Sequence, residues 1–257
     1  MRIEAFLTPS ELTGLAGRNL REKVCVVFDV LRATSTFATA LNNGAAGIIP
    51  VGEISEALEL KKQRPDVLLG GERNGLKIHV NGRDFDFGNS PREYAPEKVR
   101  GRTIVSATTN GTRAVRACMG AGTVIASSFL NLSATSNFLL ERKFESVLLV
   151  CAGTGERAAL EDILAAGALC ATLAPHGTAP ATTSQSHAST TLSDSAQLAL
   201  AAFKQGQADL SGTIFNSENA RRLLGIPELR EDVEFCLRRD VYEFVAALKE
   251  GAIRSVG

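Results

Sequence analysis

The feature that most constrains this chain is a repeated change of period. Short, continuous apolar runs alternate with longer stretches patterned for a helix. Val24-Cys25-Val26-Val27-Phe28 contains no polar residue, as expected of a strand covered on both faces. Strands are expected at residues 2–6, 23–28, 47–51, 67–70, 103–107, 123–126 and 146–151. Between them helices are expected at 33–43, 55–63, 131–142 and 158–173. Thr8-Pro9-Ser10-Glu11 and Ser90-Pro91-Arg92-Glu93 carry helix-start signals, with Pro in the first helical position. This alternation predicts an α/β fold: a mainly parallel or mixed sheet with helices on both faces, in three α/β/α layers.

A length of 257 residues suits a single α/β domain over 1–257. The rhythm breaks at Ala174. Residues 174–191 are rich in Ala, Thr, Ser, Pro and Gly and read as a flexible loop within that domain. Beyond it the pattern predicts a helical C-terminal part, with helices at 194–202, 219–224 and 240–249 and one strand at 233–236.

Lys+Arg and Asp+Glu both number 28, so no net charge draws the chain to nucleic acid or to an anionic membrane. The first residues, Met1-Arg2-Ile3-Glu4, are too charged for a signal peptide, and no apolar run reaches the ~20 residues that span a bilayer. Five cysteines without a C-x-x-C pair read as reduced, buried thiols in a cytoplasmic protein.

Four strand ends lead into loops of related chemistry. Residues 24–28 run into Asp29-Val30-Leu31-Arg32-Ala33-Thr34-Ser35-Thr36. Residues 67–70 run into Gly71-Glu72-Arg73-Asn74-Gly75, and residues 103–107 into Thr108-Thr109-Asn110-Gly111-Thr112-Arg113. The fourth loop is Cys151-Ala152-Gly153-Thr154-Gly155-Glu156-Arg157, with Glu161 and Asp162 in the helix beyond. In a parallel sheet such loops gather on the carboxyl edge, where ligands bind. The Thr108 turn reads as an oxyanion cradle, because free N–H groups at a helix start, hydroxyls and a guanidinium suit a phosphate. It reads equally as a well-capped helix. Arg32, Arg73, Arg113 and Arg157 beside Asp29, Glu72, Glu161 and Asp162 suit a polyanion with a divalent cation, or solvated ion pairs. Asp29 directly follows an apolar run and needs a partner there, as metal ligand, nucleophile or N-cap. Glu161 and Asp162 are adjacent on a helix, so they point about a hundred degrees apart and cannot easily share one ion.

Two further motifs compete. Cys151 and Arg157 have the C-x₅-R spacing of a metal-independent cysteine phosphatase. Gly153-x-Gly155-x-x-Ala158 matches part of a dinucleotide fingerprint but lacks the strand and acid that should follow. Leu31 stands where a haloacid-dehalogenase-type phosphatase has its second aspartate. His79, His176 and His187 lie in polar or low-complexity stretches and favour no histidine mechanism.

Taken together, residues 29–36, Gly71-Glu72-Arg73, Gly88-Asn89-Ser90-Pro91, residues 108–113, Phe129-Leu130-Asn131 and Cys151-Ala152-Gly153-Thr154 with Glu161-Asp162 resemble the 2-phosphosulfolactate phosphatase family. Those enzymes are Mg²⁺-dependent hydrolases associated with coenzyme M biosynthesis. The resemblance is densest over residues 24–170 and thins to 219–225 and 232–236. It implies hydrolysis of a small phosphorylated 2-hydroxy acid, 2-phosphosulfolactate, to sulfolactate and phosphate. The implied catalytic residues are Asp29, Arg32, Asn110 and Arg113. Substrate would be held by Thr34, Ser35, Arg73, Asn89, Ser90, Thr108, Thr109, Gly111, Thr112 and Arg157. Mg²⁺ would be held by Asp29 with Glu72, Glu161 or Asp162. A directly attacking water and an aspartyl-phosphate at Asp29 both remain open, as do a non-catalytic polyanion sensor and the oligomeric state, homo-oligomers included.

Overall fold

The computed structural model describes residues 1–15, 17–174 and 190–256. In chain order the elements are β1 (Arg2–Phe6), a 3-10 turn (Pro9–Leu15), β2 (Val24–Phe28), α1 (Ala33–Asn42), β3 (Gly47–Pro50), α2 (Ile54–Gln63) and β4 (Leu68–Arg73). Three short strands follow, β5 (Leu76–Lys77), β6 (His79–Val80) and β7 (Arg83–Asp84), then α3 (Pro96–Val99), β8 (Thr103–Ala107), α4 (Gly111–Ala117) and β9 (Thr123–Ser127). Next come α5 (Leu132–Arg142), β10 (Ser146–Cys151), α6 (Leu160–Leu173), β11 (Thr191–Leu192), α7 (Asp194–Gly206), α8 (Leu210–Phe215), α9 (Glu218–Leu224) and α10 (Arg230–Cys236). The last elements are β12 (Val245–Lys249) and β13 (Ala252–Val256).

The fold is α/β, with a large mixed sheet, helices on both faces and a helical C-terminal part, as the pattern predicts. The eleven strands lie in the order β11-β1-β10-β2-β9-β12-β13-β3-β8-β4-β5. They form two parallel blocks, β11-β1-β10-β2-β9 and β3-β8-β4. The hairpin β12–β13 joins the blocks through three antiparallel pairings.

That hairpin corrects the expectation of a helix at 240–249. Ala246, Ala247, Leu248 and Lys249 are good helix formers, but the segment fills the gap between β9 and β13, and tertiary pairing overrides local propensity. Glu250 and Gly251, both at positive φ (52° and 78°), make the two-residue turn that matches the twist of the flanking strands. Residues 233–236, expected as a strand, instead belong to α10. Most of the 174–191 stretch, with His176 and His187, lies outside the described residues, while Thr191 opens the edge strand β11.

Alternate residues of β2 face two different cores. Val24, Val26 and Phe28 pack with Leu149, Leu164 and Ala199 toward α6 and α7, joined by Leu223 and Val233 of α9 and α10. Cys25 and Val27 pack with Phe37 of α1 and Val115 of α4, and this same cluster includes Ile48 of β3 and Ile104 of β8. Helices α1 and α4 therefore bridge the two parallel blocks across one face of the sheet. A third cluster unites Val105 and Ala107 of β8 with Ala57 of α2. Each of the Val, Leu, Ile and Phe side chains among these, fully removed from water, stabilises the fold by about 1.5–3 kcal/mol. Because α1 follows β2 and α4 follows β8, the ends of β2 and β8 are brought together at the starts of two packed helices.

Candidate active site

The loop after β2 is built around Asp29. Its Oδ1 accepts from Ala33 N at 3.0 Å, and its carbonyl accepts from Thr34 N and Thr34 Oγ1, each at 2.9 Å. Asp29 thus caps α1 and also presents Oδ2 to the space beside α4. An ideal Cβ on Gly111 would lie 2.6 Å from that Oδ2 and 2.5 Å from Ala33 Cβ, so only glycine lets α4 start this close to Asp29. Ser35 Oγ donates to Val30 O at 2.8 Å. Arg32, across a cis Leu31–Arg32 peptide, is buried; it donates to Asp232 Oδ2 at 2.7 Å and to Gly75 O at 2.8 Å.

Strand β4 delivers Glu72. Its Oε1 accepts from Thr109 N and its Oε2 from Gly75 N, both at 2.7 Å, which locks the β4 and β8 ends together. Gly71 makes the approach possible: at φ +146° it sits where a Cβ would lie 2.1 Å from Ala107 O. Arg73 points away, donating to the carbonyls of Glu72, Ala107 and Gly52. In the turn after β8, Thr108 and Thr112 cap one another. Thr112 N donates to Thr108 Oγ1, and Thr112 Oγ1 donates to Thr108 O. For these two hydroxyls the capped-helix reading is the structural one. Asn110 donates from Nδ2 to Ala152 O and Gly155 O, and accepts from Gly155 N, tying this turn to the loop after β10.

That loop rests on α6. Asp162 is buried and accepts from Val30 N at 2.8 Å and Gly153 N at 3.0 Å, bracing two strand ends. Glu161 is also buried; its Oε1 accepts from Asn219 Nδ2 at 2.9 Å, and its Oε2 has no hydrogen-bond partner among the described residues. Asn219 donates as well to Leu31 O and accepts from Arg222 through Oδ1.

These loops enclose a cavity of about 290 Å³ lined by, among others, Asp29, Arg32, Glu72, Asn89, Thr109, Asn110, Thr154, Arg157, Asn219 and Arg222. Glu161 opens onto a side cleft that shares Thr154, Arg157 and Asn219 with it. Asn89 Oδ1 and Thr154 Oγ1 are buried without hydrogen-bond partners among the described residues. Burial pushes the Asp29 carboxyl up to about 7, with the Ala33 amide opposing and the charges of Glu72 and Glu161 adding. Burial, with the charges of Asp29 and Glu161, holds the Asp162 carboxyl well above the usual range. Asp29 thus stands among three further acids, Glu72, Glu161 and Asp162, and the buried arginine of the cavity is already paired with Asp232. Hard oxygen donors with one orphaned carboxylate oxygen fit a Mg²⁺ ion held by one or two carboxylates plus water or phosphate. Among the described residues no three of His, Cys, Asp and Glu stand as a ready-made cage.

Residues 11–251 match the family model described as 2-phosphosulpholactate phosphatase. The chain belongs to this family. With it the chain is placed among the phosphoric monoester hydrolases, as the resemblance in the sequence implied. Proteins named probable 2-phosphosulfolactate phosphatase are similar along most of its length. The one from Thermotoga maritima is 42% identical over 229 residues, covering 89% of this chain and 90% of the relative. That from Caldanaerobacter subterraneus is 40% identical, covering 93% and 92%, and that from Clostridium acetobutylicum is 32% identical, covering 98% and 100%.

Of the residues singled out in the sequence, the cavity gathers Asp29, Arg32, Glu72, Asn89, Thr109, Asn110 and Arg157. Gly111 lies against Asp29 without lining the cavity, and Glu161 and Asp162 stand just behind. Thr34, Ser35, Thr108 and Thr112 bond to their own loops, Ser90 donates to Asp232, and Arg73 lies outside. Arg113 pairs with Glu156 at the surface and Arg157 pairs with Glu218. Cys151 is fully buried in the core, and burial with nearby acids pushes its thiol up. It does not line the cavity, and Arg157 is turned to Glu218, so the geometry speaks against the cysteine-phosphatase alternative. Sequence reasoning missed Asn219, Arg222 and Asp232. They lie about 190–200 positions beyond Leu31 and Arg32 in the chain, and only their place in the weakly matching 219–225 and 232–236 stretches hinted at them.

Proposed function

We propose that this enzyme hydrolyses a small phosphorylated 2-hydroxy acid, 2-phosphosulfolactate in the first instance, to the hydroxy acid and phosphate, with Mg²⁺ as cofactor. The observation that carries this reading is the pairing of Asp29 and Glu72 in one small polar cavity with Glu161 just behind, its Oε2 without a hydrogen-bond partner among the described residues. A phosphate cannot approach such acids without a cation between them. Asp29 and Glu161 would hold the ion, with Glu72 beside them; the bound ion would neutralise the phosphoryl oxygens.

The chain's own residues then have distinct tasks. Asp29 keeps Oδ1 on the Ala33 amide, which leaves Oδ2 to face the ion. Thr109 and Asn110 form the wall where the phosphoryl group would sit, while Glu72 and Asp162 hold the backbone in place. Arg32, fixed by Asp232, supplies a positive charge that needs no rearrangement when charge develops. Five free, buried cysteines support the reducing, cytoplasmic compartment. No helix among the described residues is long and apolar enough to cross a membrane. The substrate assigned here would place the enzyme in coenzyme M biosynthesis.

Phosphate release from a panel of phosphorylated 2-hydroxy acids, with Mg²⁺ and with EDTA, tests the reading. Release that needs Mg²⁺ and is fastest with 2-phosphosulfolactate is expected. No release from any ester, or release indifferent to EDTA, would refute it.

A further inference from the structure

The arginines that the sequence offered for an anionic ligand are engaged by the protein itself. Arg32 pairs with Asp232, Arg113 with Glu156 and Arg157 with Glu218, and Arg73 donates to three carbonyls. Arg222 differs. It lines the cavity, and among the described residues it has no carboxylate partner. Among those residues its one hydrogen bond runs from Nη2 to Asn219 Oδ1 at 2.8 Å.

That one bond is directional. Asn219 is buried, and its Nδ2 is held by both Leu31 O and Glu161 Oε1, which leaves Oδ1 aimed at Arg222. The guanidinium is thereby anchored at one nitrogen while Nη1 stays free. It lies against Gly75, where an ideal Cβ would come 3.4 Å from Nη1. Arg222 is exposed, whereas Asp29 and Glu161 are buried. The cavity thus has an acid-rich floor and one uncompensated cation at its rim.

We propose that Arg222, oriented by Asn219, is the specificity-determining residue that receives the second acid of the substrate, a carboxylate or sulfonate on the carbon skeleton of the phosphoester. This rests on the hydrolase reading above. The reacting phosphoryl group must reach the buried carboxylates to be attacked, so a remote anion on a short skeleton is left at the rim. A guanidinium with a free edge is the donor that matches a carboxylate or sulfonate, and planar forks bind such groups better than a lysine does. An aryl phosphate has no remote acid and makes no use of it.

The test compares wild type with Arg222→Gln and Arg222→Lys on O-phospholactate, 2-phosphosulfolactate and 4-nitrophenyl phosphate. In Arg222→Gln the ratio of kcat/KM for either acid-bearing ester to that for the aryl phosphate is expected to fall at least tenfold, chiefly through KM. Arg222→Lys is expected to fall between Gln and wild type. An equal loss on all three substrates would assign Arg222 to the phosphoryl group and overturn the proposal, as would no loss on any. If wild type releases phosphate from none of them, the hydrolase reading fails by itself. Calorimetric titration of O-phospholactate then decides for Arg222. Tenfold weaker binding to Arg222→Gln than to wild type supports it, and equal binding, or none to either protein, overturns it.

Discussion

Arg32 and Asp232, two hundred residues apart in the chain, form a buried ion pair with Nη1 2.7 Å from Oδ2 and side-chain exposures of 3% and 0%. Asp232 also accepts from Ser90 Oγ at 2.7 Å and Arg92 Nε at 3.0 Å, so three donors converge on one carboxylate. Removing one partner strands a buried charge, which typically destabilises by 3–5 kcal/mol. Asp232→Ala is expected to lose about 3–5 kcal/mol in urea denaturation. Arg92, which also pairs with Glu231 and is partly exposed, should matter less; Arg92→Ala is expected to lose about 1 kcal/mol. Equal losses would show that the Arg32 pair is not what makes Asp232 important.

Asp29 sets function against stability. Its carboxyl, at about 7 in the folded protein against 3.8 as the ordinary value, keeps its proton longer than the unfolded chain does. Below about pH 4 both states are protonated and Asp29 exacts no penalty; as pH rises through 7 the folded state loses this advantage. Without metal, the melting temperature is therefore expected to fall between pH 4 and pH 8. Asp29→Asn should flatten that fall and melt higher than wild type at pH 8, while kcat drops by roughly 10²–10³. A variant that melts lower at pH 8 would contradict the assignment.

Mg²⁺ should act in the opposite direction. An ion that binds the ionised acids stabilises the fold by mass action, and more so where those acids are charged. The rise in melting temperature on adding Mg²⁺ is expected to be larger at pH 8 than at pH 5, and to shrink in Glu161→Gln. A shift independent of pH and of Glu161 would place the ion elsewhere.

Gly111→Ala tests the close approach of α4 to Asp29. The new methyl would meet Ala33 Cβ and Asp29 Oδ2 at 2.5 and 2.6 Å, and a displacement near 1 Å at a reacting group can lower the rate about 10²-fold. A kcat loss of that order is expected with the far-ultraviolet spectrum unchanged. A kcat within threefold of wild type would mean that Asp29 has room to move.

Cys151→Ala separates core from chemistry. Its thiol lies among apolar side chains, so the variant should keep turnover and lose about 1 kcal/mol of stability. Abolished turnover in a folded variant would restore the cysteine mechanism.

Much of the site was legible because its residues sit where the period changes. Asp29, Glu72 and Asn110 each follow an apolar strand within a few residues, and a polar group at that place must find partners. The roles of Thr108 and Thr112 were not legible, since a threonine before a helix serves a phosphate or an N-cap with the same hydroxyl. Whether Arg73 or Arg113 faced the ligand was equally hidden, because a long side chain can leave a loop in either direction.

By itself the amino-acid order determined the alternation of strands and helices, the strand-end loops and the family, since period, turn residues and motifs are local properties. Tertiary structure alone decided three things. It made residues 245–249 a strand rather than a helix, because β9 and β13 offered pairing that outweighed helix propensity. It consumed the expected arginines in internal pairs. It brought Asn219 and Arg222 from the C-terminal helices onto a cavity built by the first 162 residues, and Asp232 onto Arg32 behind it. Such contacts depend on how α9 and α10 pack against β2 and α1, and no local pattern encodes the partner on the other side of a core.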